Sequence, residues 1–149
     1  MDHLKLENQL CFPIYATSRF LTRIYQPYLG KLDLTYPQFL VMLVMWEHKH
    51  LTVGQIGAKL YLNTNTITPI IKKLVSKKYI VKQRSIEDER IVLVSLTDLG
   101  KELQLKSTNI PECIINASGM SNDDLVTMKA LMDKFLSNVT STNSLEIQN

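Results

Sequence analysis

The chain has 149 residues, a net charge of +3 and 45% hydrophobic residues, which is typical of one folded globular domain. Its start lacks a basic segment followed by a long apolar run, and no apolar stretch reaches the roughly 18 residues of a membrane span. These features argue against the secreted and membrane-spanning classes. We therefore expect a soluble cytoplasmic protein that makes no contact with a membrane.

Two helices are predicted before the middle of the chain. Apolar residues recur at helical spacing from residue 10 to residue 29, and Gly30 is a plausible stop. Thr35 is predicted to cap a second helix from Tyr36 to about His48. Pro37 would lie in the first turn of that helix, where a proline breaks no hydrogen bond.

A helix-turn-helix pattern follows. Thr52 and Gln55 have the spacing of a capping box at the start of a third helix, which ends in a turn at residues 61–62. Asn63 or Thr64 can cap a fourth helix. Its predicted inward face is apolar and its predicted outward face is polar, with Ile67, Ile70, Ile71 and Leu74 inward and Thr66, Thr68, Lys72 and Lys73 outward.

Two runs of alternating residues, 79–84 and 90–96, come next and are joined by the charged tip 85–89. Alternation of this kind predicts a β-hairpin. A helix-turn-helix followed by a hairpin is a winged helix, which places its second helix in the major groove of DNA. The predicted fold class is therefore mostly α with a small β-hairpin wing, and the predicted partner is double-stranded DNA.

The charge distribution supports this prediction. Residues 59–90 contain eight basic and three acidic side chains, a net charge of +5, so the rest of the chain carries −2. A basic surface confined to the second helix and the wing is what phosphate binding requires. A solvated lysine-rich helix face is the alternative explanation of the lysines alone.

Further helices are predicted after the hairpin. One runs from Thr97 to about Asn109, and Pro111 is expected to break or kink it, with residues 112–117 resuming the helix. Ser121 is predicted to cap a final helix. Its apolar stripe is Leu125, Met128, Leu131, Met132, Phe135 and Val139.

The first and last helices have more apolar surface than a winged helix of about 70 residues can cover. A second copy of the chain is the simplest cover, and packing on their own module is the alternative. We therefore predict a single domain, 1–149, with a DNA-binding part at 31–99 and dimerisation helices at 1–30 and 100–149. The polar tail after Thr140 is expected to be frayed.

Cys11 and Cys113 are the only thiols, and lone cysteines in a cytoplasmic chain are usually small buried hydrophobes. Tyr15 and Tyr25 follow Cys11 by four and fourteen residues, near one face of a helix, and tyrosine hydroxyls can hydrogen-bond a thiolate. Pro13 favours a first turn, so Cys11 would lie at a helix N-terminus, which favours the thiolate. Ordinary core aromatics are the alternative explanation of the tyrosines.

Neither a metal site nor a cofactor is predicted. The chain has no C-x-x-C pair, and its three histidines are scattered without the spacing of zinc ligands.

Four segments resemble the MarR family of winged-helix regulators: Leu34-Thr35-Tyr36-Pro37-Gln38-Phe39-Leu40, Thr66-Ile67-Thr68-Pro69-Ile70-Ile71-Lys72-Lys73-Leu74, Asp88-Glu89-Arg90 and Leu96-Thr97-Asp98-Leu99-Gly100. The start, Gln9-Leu10-Cys11-Phe12 with Tyr15, is similar to the OhrR-like branch of that family, which senses organic hydroperoxides. The resemblance covers nearly the whole chain.

The resemblance implies a homodimer that represses transcription from a pseudo-palindromic operator. The helix that starts near Asn63 would enter the major groove, and the wing would reach the minor groove, with Arg90 at its tip steadied by Asp88. The family often has Asp-Ser-Gly-Thr where this chain has residues 63–66, a change that removes a negative charge near the phosphates. The implied DNA-binding residues are Asn63, Thr64, Asn65, Thr66, Thr68, Lys72, Lys73, Arg84, Asp88 and Arg90.

The resemblance also implies a thiol switch. Cys11 would be the peroxide-reactive thiol, with Tyr15, Tyr25 and Tyr36 as its partners. Organic hydroperoxide would convert Cys11 to a sulfenic acid, which would condense with Cys113 of the partner subunit and release the DNA. Such a protein is not an enzyme.

Three other functions stay open at this point. A regulator controlled by a small aromatic ligand could use a pocket lined by Phe12, Tyr15, Phe39 and Trp46. A two-cysteine thiol peroxidase would also need a reactive and a resolving thiol. An architectural DNA binder would bind DNA with weak sequence preference.

Overall fold

The computed structural model describes residues 1–86, 88 and 90–142 of the chain. Two short 3-10 turns, Asp2–Leu4 and Leu6–Asn8, precede the main elements. Those are α1 Cys11–Gly30, α2 Tyr36–His48, β1 His50–Thr52, α3 Val53–Leu60, α4 Thr64–Ser76, β2 Ile80–Arg84, β3 Val92–Leu96, α5 Asp98–Lys106, α6 Ile110–Ser118 and α7 Asn122–Thr142.

Two of the sequence predictions include residues that the structure does not describe. Glu87 and Glu89 of the predicted charged tip, and residues 143–149 of the predicted frayed tail, lie outside the described part of the chain. Within the described part, no helix is both long and apolar enough to cross a membrane.

The predicted helix caps are confirmed. The Thr35 hydroxyl accepts a hydrogen bond from the Gln38 backbone amide, and the Gln38 side-chain oxygen accepts one from the Thr35 backbone amide. Helix α2 therefore begins where expected. Thr52 and Gln55 form the same reciprocal pair at the start of α3. Of the two candidates for α4, Asn63 is the cap. These side chains satisfy amide groups that a helix start leaves unpaired, which fixes the phase of each helix.

The core is formed by α2, α3, α4 and the sheet. The largest fully buried side chains are Leu29, Met42, Met45, Ile56, Ile67, Ile71, Leu74, Ile80, Val41 and Val94. The helix-turn-helix is closely packed at Gly57, where an added Cβ would lie 2.7 Å from the backbone oxygen of Leu62. The apolar face predicted for α4 is thus the face that is buried.

The wing belongs to a three-stranded antiparallel sheet with the order β1-β3-β2. Its hairpin, β2 and β3, confirms the two predicted runs, although β3 begins at Val92 rather than at residue 90. In the structure Ile80 lies opposite Leu96 and Arg84 opposite Val92. Strand β1 was not predicted, and it pairs with β3 so that Leu51 lies opposite Val94. The fold is nonetheless the predicted one, mostly helical with a small β wing.

The helices after the wing differ from the prediction in where they begin and end, although the predicted helical segment 112–117 lies within α6. Helix α5 ends at Lys106 rather than near Asn109, and the Ser107 hydroxyl donates to the Leu103 carbonyl at this end. Pro111 lies in the first turn of α6, so it begins a helix instead of breaking one. The physical reason is that a first turn needs no amide hydrogen from its proline.

The final helix begins next to Ser121, whose hydroxyl accepts from the Asp124 amide at 3.2 Å, as predicted. None of the side chains described for α7 is buried in the single chain. Large apolar side chains are exposed on both terminal helices, namely Phe12, Tyr15 and Phe20 on α1 and Val126, Leu131, Met132, Phe135 and Leu136 on α7.

Candidate DNA-binding surface and thiol site

The first turn of α4 presents polar side chains to solvent. Asn63 is not one of the available groups, because its Oδ1 accepts from the Thr66 amide at 2.9 Å and is used to cap the helix. Thr64, Asn65 and Thr66 follow it and are exposed. Exposed polar groups at the start of the second helix are the groups that such a motif brings to DNA bases.

The hydroxyls of α4 differ from those of threonines elsewhere in the protein. Thr22 donates to the Ser18 carbonyl at 2.8 Å, and Thr140 donates to the Leu136 carbonyl at 2.9 Å, so each bonds to its own helix. Among the described residues, no hydrogen-bond partner faces the hydroxyls of Thr64, Thr66 or Thr68. These hydroxyls are therefore available to an external partner, either a phosphate or a base edge.

A cleft of about 470 Å³ separates α4 from the wing. Thr64 and Thr68 line one side of it, and Lys82 and Arg90 line it from the wing. Lys82 was not among the predicted contact residues, although it belongs to the basic segment 59–90 that indicated the surface. The arrangement places two cations beside the exposed hydroxyls, which suits a phosphate backbone.

The remaining predicted DNA-binding residues are not among those that line the cleft. Lys72 and Lys73 are exposed on α4, and Arg84 is exposed at the end of β2. The Asp88 carboxylate accepts from the Arg90 amide at 2.9 Å, and this hydrogen bond orders the backbone beside Arg90.

Cys11 is exposed and is the first residue of α1, with Pro13 in the first turn as predicted. Tyr15 lies one turn further on, where its hydroxyl is 3.4 Å from a guanidinium nitrogen of Arg19. The structure does not bring Cys11 to Tyr25 within one chain. An α-helix rises about 1.5 Å per residue, so the fourteen residues between them span about 21 Å.

Tyr25 and Tyr36 are brought together instead. Their ring centroids are 4.7 Å apart, and the Phe39 ring lies 5.9 Å from that of Tyr25. Burial raises the pKa of both tyrosines, and the nearby Tyr36 adds to the rise in the pKa of Tyr25. Both hydroxyls are therefore neutral hydrogen-bond donors at neutral pH.

Cys113 is the fourth residue of α6, partly exposed, and both cysteines are free thiols. Helix α6 packs against α1, the helix that carries Cys11. Within the described residues, no group of three histidine, cysteine or acidic side chains could hold a metal ion.

The set of aromatic residues considered for a small ligand is divided by the structure. Phe12 and Tyr15 line a cleft of about 250 Å³ on α1, together with Arg19 and Arg23. Phe39 is buried in the core. Trp46 contacts Phe39 with ring centroids 5.9 Å apart, and its indole N–H donates to the Gly100 carbonyl at 2.9 Å.

This chain is similar in sequence and in structure to known DNA-binding regulators. A family model described as transcriptional regulator SarA/Rot matches residues 23–106. An organic hydroperoxide resistance transcriptional regulator of Bacillus subtilis is 46% identical over 142 residues, which cover 95% of this chain and 97% of that protein.

Several solved structures of AbfR are also similar to this chain, and that protein is from Staphylococcus epidermidis. Reduced AbfR bound to DNA is 31% identical, with a TM-score of 0.75 over 93% of this chain and 97% of that one. Overoxidised AbfR bound to DNA has a TM-score of 0.73 at 31% identity, over 91% and 96% of the two chains. The disulfide form of AbfR has a TM-score of 0.63 at 30% identity, over 91% and 95%.

Proposed function

The chain belongs to the MarR family of winged-helix transcriptional regulators, in the branch of the organic hydroperoxide resistance regulators, and we propose that it is a repressor released from DNA by organic hydroperoxide. It is a redox-sensitive DNA-binding regulator, and its relatives are regulators rather than enzymes. The observation that carries the finer proposal is the exposed Cys11 thiol at the first turn of α1, a helix whose apolar face is uncovered in the single chain.

The DNA-binding part is residues 31–99. Helix α4 enters the major groove with Thr64, Asn65, Thr66 and Thr68, and the wing reaches the adjacent minor groove with Arg90. The other predicted contacts are to phosphates or steady the surface, and they come from Asn63, Lys72, Lys73, Arg84 and Asp88. Two observations support this docking: the threonine hydroxyls of α4 have no partner within the described residues, and Lys82 and Arg90 line the same cleft.

The partner that covers the terminal helices is a second copy of the chain. Segments 1–30 and 100–149 are the dimerisation parts, and their exposed apolar side chains on α1 and α7 support this assignment. A twofold dimer presents two copies of α4 and therefore reads a pseudo-palindromic operator.

The thiol site is shared between the two protomers. Because Cys11 and Tyr25 lie about 21 Å apart along one helix, the Tyr25–Tyr36 pair can reach only the Cys11 of the partner subunit. Tyr15 remains one turn from the Cys11 of its own chain. Neutral tyrosine hydroxyls that donate to the sulfur stabilise the thiolate, which is the form that attacks peroxides.

The reaction proceeds in two balanced steps. The Cys11 thiolate attacks the terminal oxygen of the hydroperoxide, the O–O bond breaks, and the leaving alkoxide takes a proton to become an alcohol. Cys11 is now a sulfenic acid. The thiol of the partner's Cys113 attacks its sulfur, an S–S bond forms, and water leaves.

Formation of this disulfide changes the geometry of the dimer. A disulfide requires Cα atoms within about 7 Å, so the helices that carry the two cysteines must move together, and the spacing of the two α4 helices changes with them. Two solved forms of AbfR agree with release by the disulfide rather than by oxidation alone. That relative is bound to DNA when reduced and also when overoxidised.

The test is DNA binding to the region upstream of the gene, measured on reduced, hydroperoxide-treated and re-reduced protein. We expect binding to be lost on treatment with a dimer-sized covalent band and to return on reduction. Cys11→Ser should bind DNA and ignore the hydroperoxide. Cys113→Ser should be oxidised at Cys11 but stay on the DNA when no small thiol is present.

The two variants give each part of the proposal its own contrary result. Release of Cys11→Ser by hydroperoxide would exclude Cys11 as the sensing thiol. A covalent dimer of Cys113→Ser on a non-reducing gel would exclude Cys113 as the resolving thiol.

A further inference from the structure

Asn65 is the one amide side chain in the exposed first turn of α4 that is not used by the fold. It is the second residue of the helix, and it has no hydrogen-bond partner within the described part of the chain. The side-chain oxygen of Asn63, two residues earlier, accepts a hydrogen bond from the Thr66 backbone amide. Of the two asparagines at the start of this helix, only Asn65 is able to bind an external group with both ends of its amide.

We infer that Asn65 reads an adenine in each half of the operator and is the residue that sets this chain's base preference there. The inference rests on the proposed function, because it requires that α4 enters the major groove. The N-terminal residues of such a helix are those that contact base edges. A side-chain amide presents an N–H donor beside a carbonyl acceptor in one plane, and this matches adenine, which presents the N6 donor and the N7 acceptor in the major groove.

The first two turns of α4 lack the side chains that most often read guanine. Guanine is read by arginine or lysine, which donate twice to O6 and N7. From residue 63 to residue 71 the helix has no cation, and its first lysine, Lys72, comes about two turns after Asn65. The neighbouring threonines add methyl groups that can contact thymine but contain no guanidinium or ammonium.

The experiment selects the operator from a random DNA library with the reduced wild-type protein and repeats the selection with three variants. Asn65→Ala removes the amide, and Asn65→Asp keeps the shape but removes the donor. Lys72→Ala removes a predicted phosphate contact and serves as the control. Affinity is then measured for operators that carry each of the four bases at every position.

We expect wild type to prefer adenine at one position in each half-site by on the order of tenfold over the other bases. Both Asn65 variants should lose that preference at this position and keep the preferences elsewhere. Lys72→Ala should weaken binding to all operators equally and leave every preference in place.

Two other results are distinguishable. If wild type selects an operator and the Asn65 variants keep every base preference, or weaken all sites evenly, Asn65 is not a base reader, although the protein binds DNA. If wild type selects no sequence and binds no duplex, the proposed DNA-binding function itself fails.

Discussion

Tyr25 and Tyr36, the paired tyrosines of the proposed thiol site, make the stability of the fold depend on pH. Burial holds their pKa values above the ordinary value of 10.0 in the folded protein, whereas an unfolded tyrosine ionises at the ordinary value. The stability that this difference contributes is fully present below about pH 10 and is lost as the pH rises through the raised pKa. Alkaline pH therefore destabilises the fold through this pair.

The variant Tyr25→Phe cannot ionise at residue 25. Its free energy of unfolding should therefore fall less steeply than that of wild type above about pH 10. Urea unfolding between about pH 8 and pH 11 measures the difference. Tyr61→Phe, which changes an exposed ring at the end of α3, is the matched control and should follow wild type. A Tyr25→Phe curve parallel to wild type would contradict the assignment.

The residues of the proposed thiol site show where sequence spacing is informative and where it is not. The place of Cys11 in a first turn followed from Pro13, because proline fits there without loss of a hydrogen bond. The contact between Tyr25 and Tyr36 could not be predicted in this way, because it depends on how α1 packs on α2. Helical periodicity shows which residues share a face, but fourteen residues along that face are far beyond the reach of a side chain.

At the scale of elements, boundaries set by a local cap were predictable and those set by tertiary contacts were not. Thr35 and Thr52 mark helix starts because their hydroxyls satisfy amides only a few residues away. Strand β1 has three residues, too few for alternation to be visible, and its pairing partner β3 lies about 40 residues later in the chain. The proline of α6 was misread because the sequence does not tell a proline that ends a helix from one that begins the next.

The turn between α3 and α4 gives a prediction at this scale. An added Cβ at Gly57 would lie 2.7 Å from the Leu62 backbone oxygen, a contact that only a shift of the turn could relieve. Gly57→Ala should therefore lower the free energy of unfolding by about 1–3 kcal/mol. It should also weaken DNA binding, because the turn sets the angle of α4.

Gly54 supplies the matched control, since it lies on the same helix and its Cβ would come no closer than 4.0 Å to any neighbour. Gly54→Ala should be neutral or stabilise the fold by about 0.5–1 kcal/mol, the ordinary gain of alanine over glycine in a helix. Thermal or urea unfolding of the two variants side by side is the measurement. Equal stabilities for both would show that the turn is loosely packed.

At the scale of the whole molecule, the distribution of apolar surface divides the chain into two parts. The helices and sheet around α4 bury their apolar side chains within one chain, whereas α7 buries none of its described side chains. The excess of apolar residues on the terminal helices was visible in the sequence, because it exceeds what a small module can cover. The geometry of the proposed dimer could not be predicted, because the faces that would meet depend on two chains at once.

The dimer prediction follows from that exposed surface. Phe135 is exposed in the middle of α7, within the apolar stripe that we propose the partner subunit covers. Phe135→Asp would place a charge in this interface and should weaken dimerisation by about 2 kcal/mol or more, the usual cost at a central aromatic residue. Operator affinity should fall with it, because a monomer reads only one half-site.

Ser137→Asp introduces the same charge about 200° around the helix from Phe135, on the polar side, and should remain dimeric. Analytical ultracentrifugation over a range of concentrations compares the two variants with wild type. If both variants remain dimeric, α7 does not form the interface. If both dissociate, the interface surrounds α7 instead of following one stripe. A loss confined to Phe135→Asp, accompanied by weaker operator binding, would tie the spacing of the two α4 helices to the apolar stripe of α7. That spacing is the quantity that an intersubunit disulfide would have to change in order to release DNA.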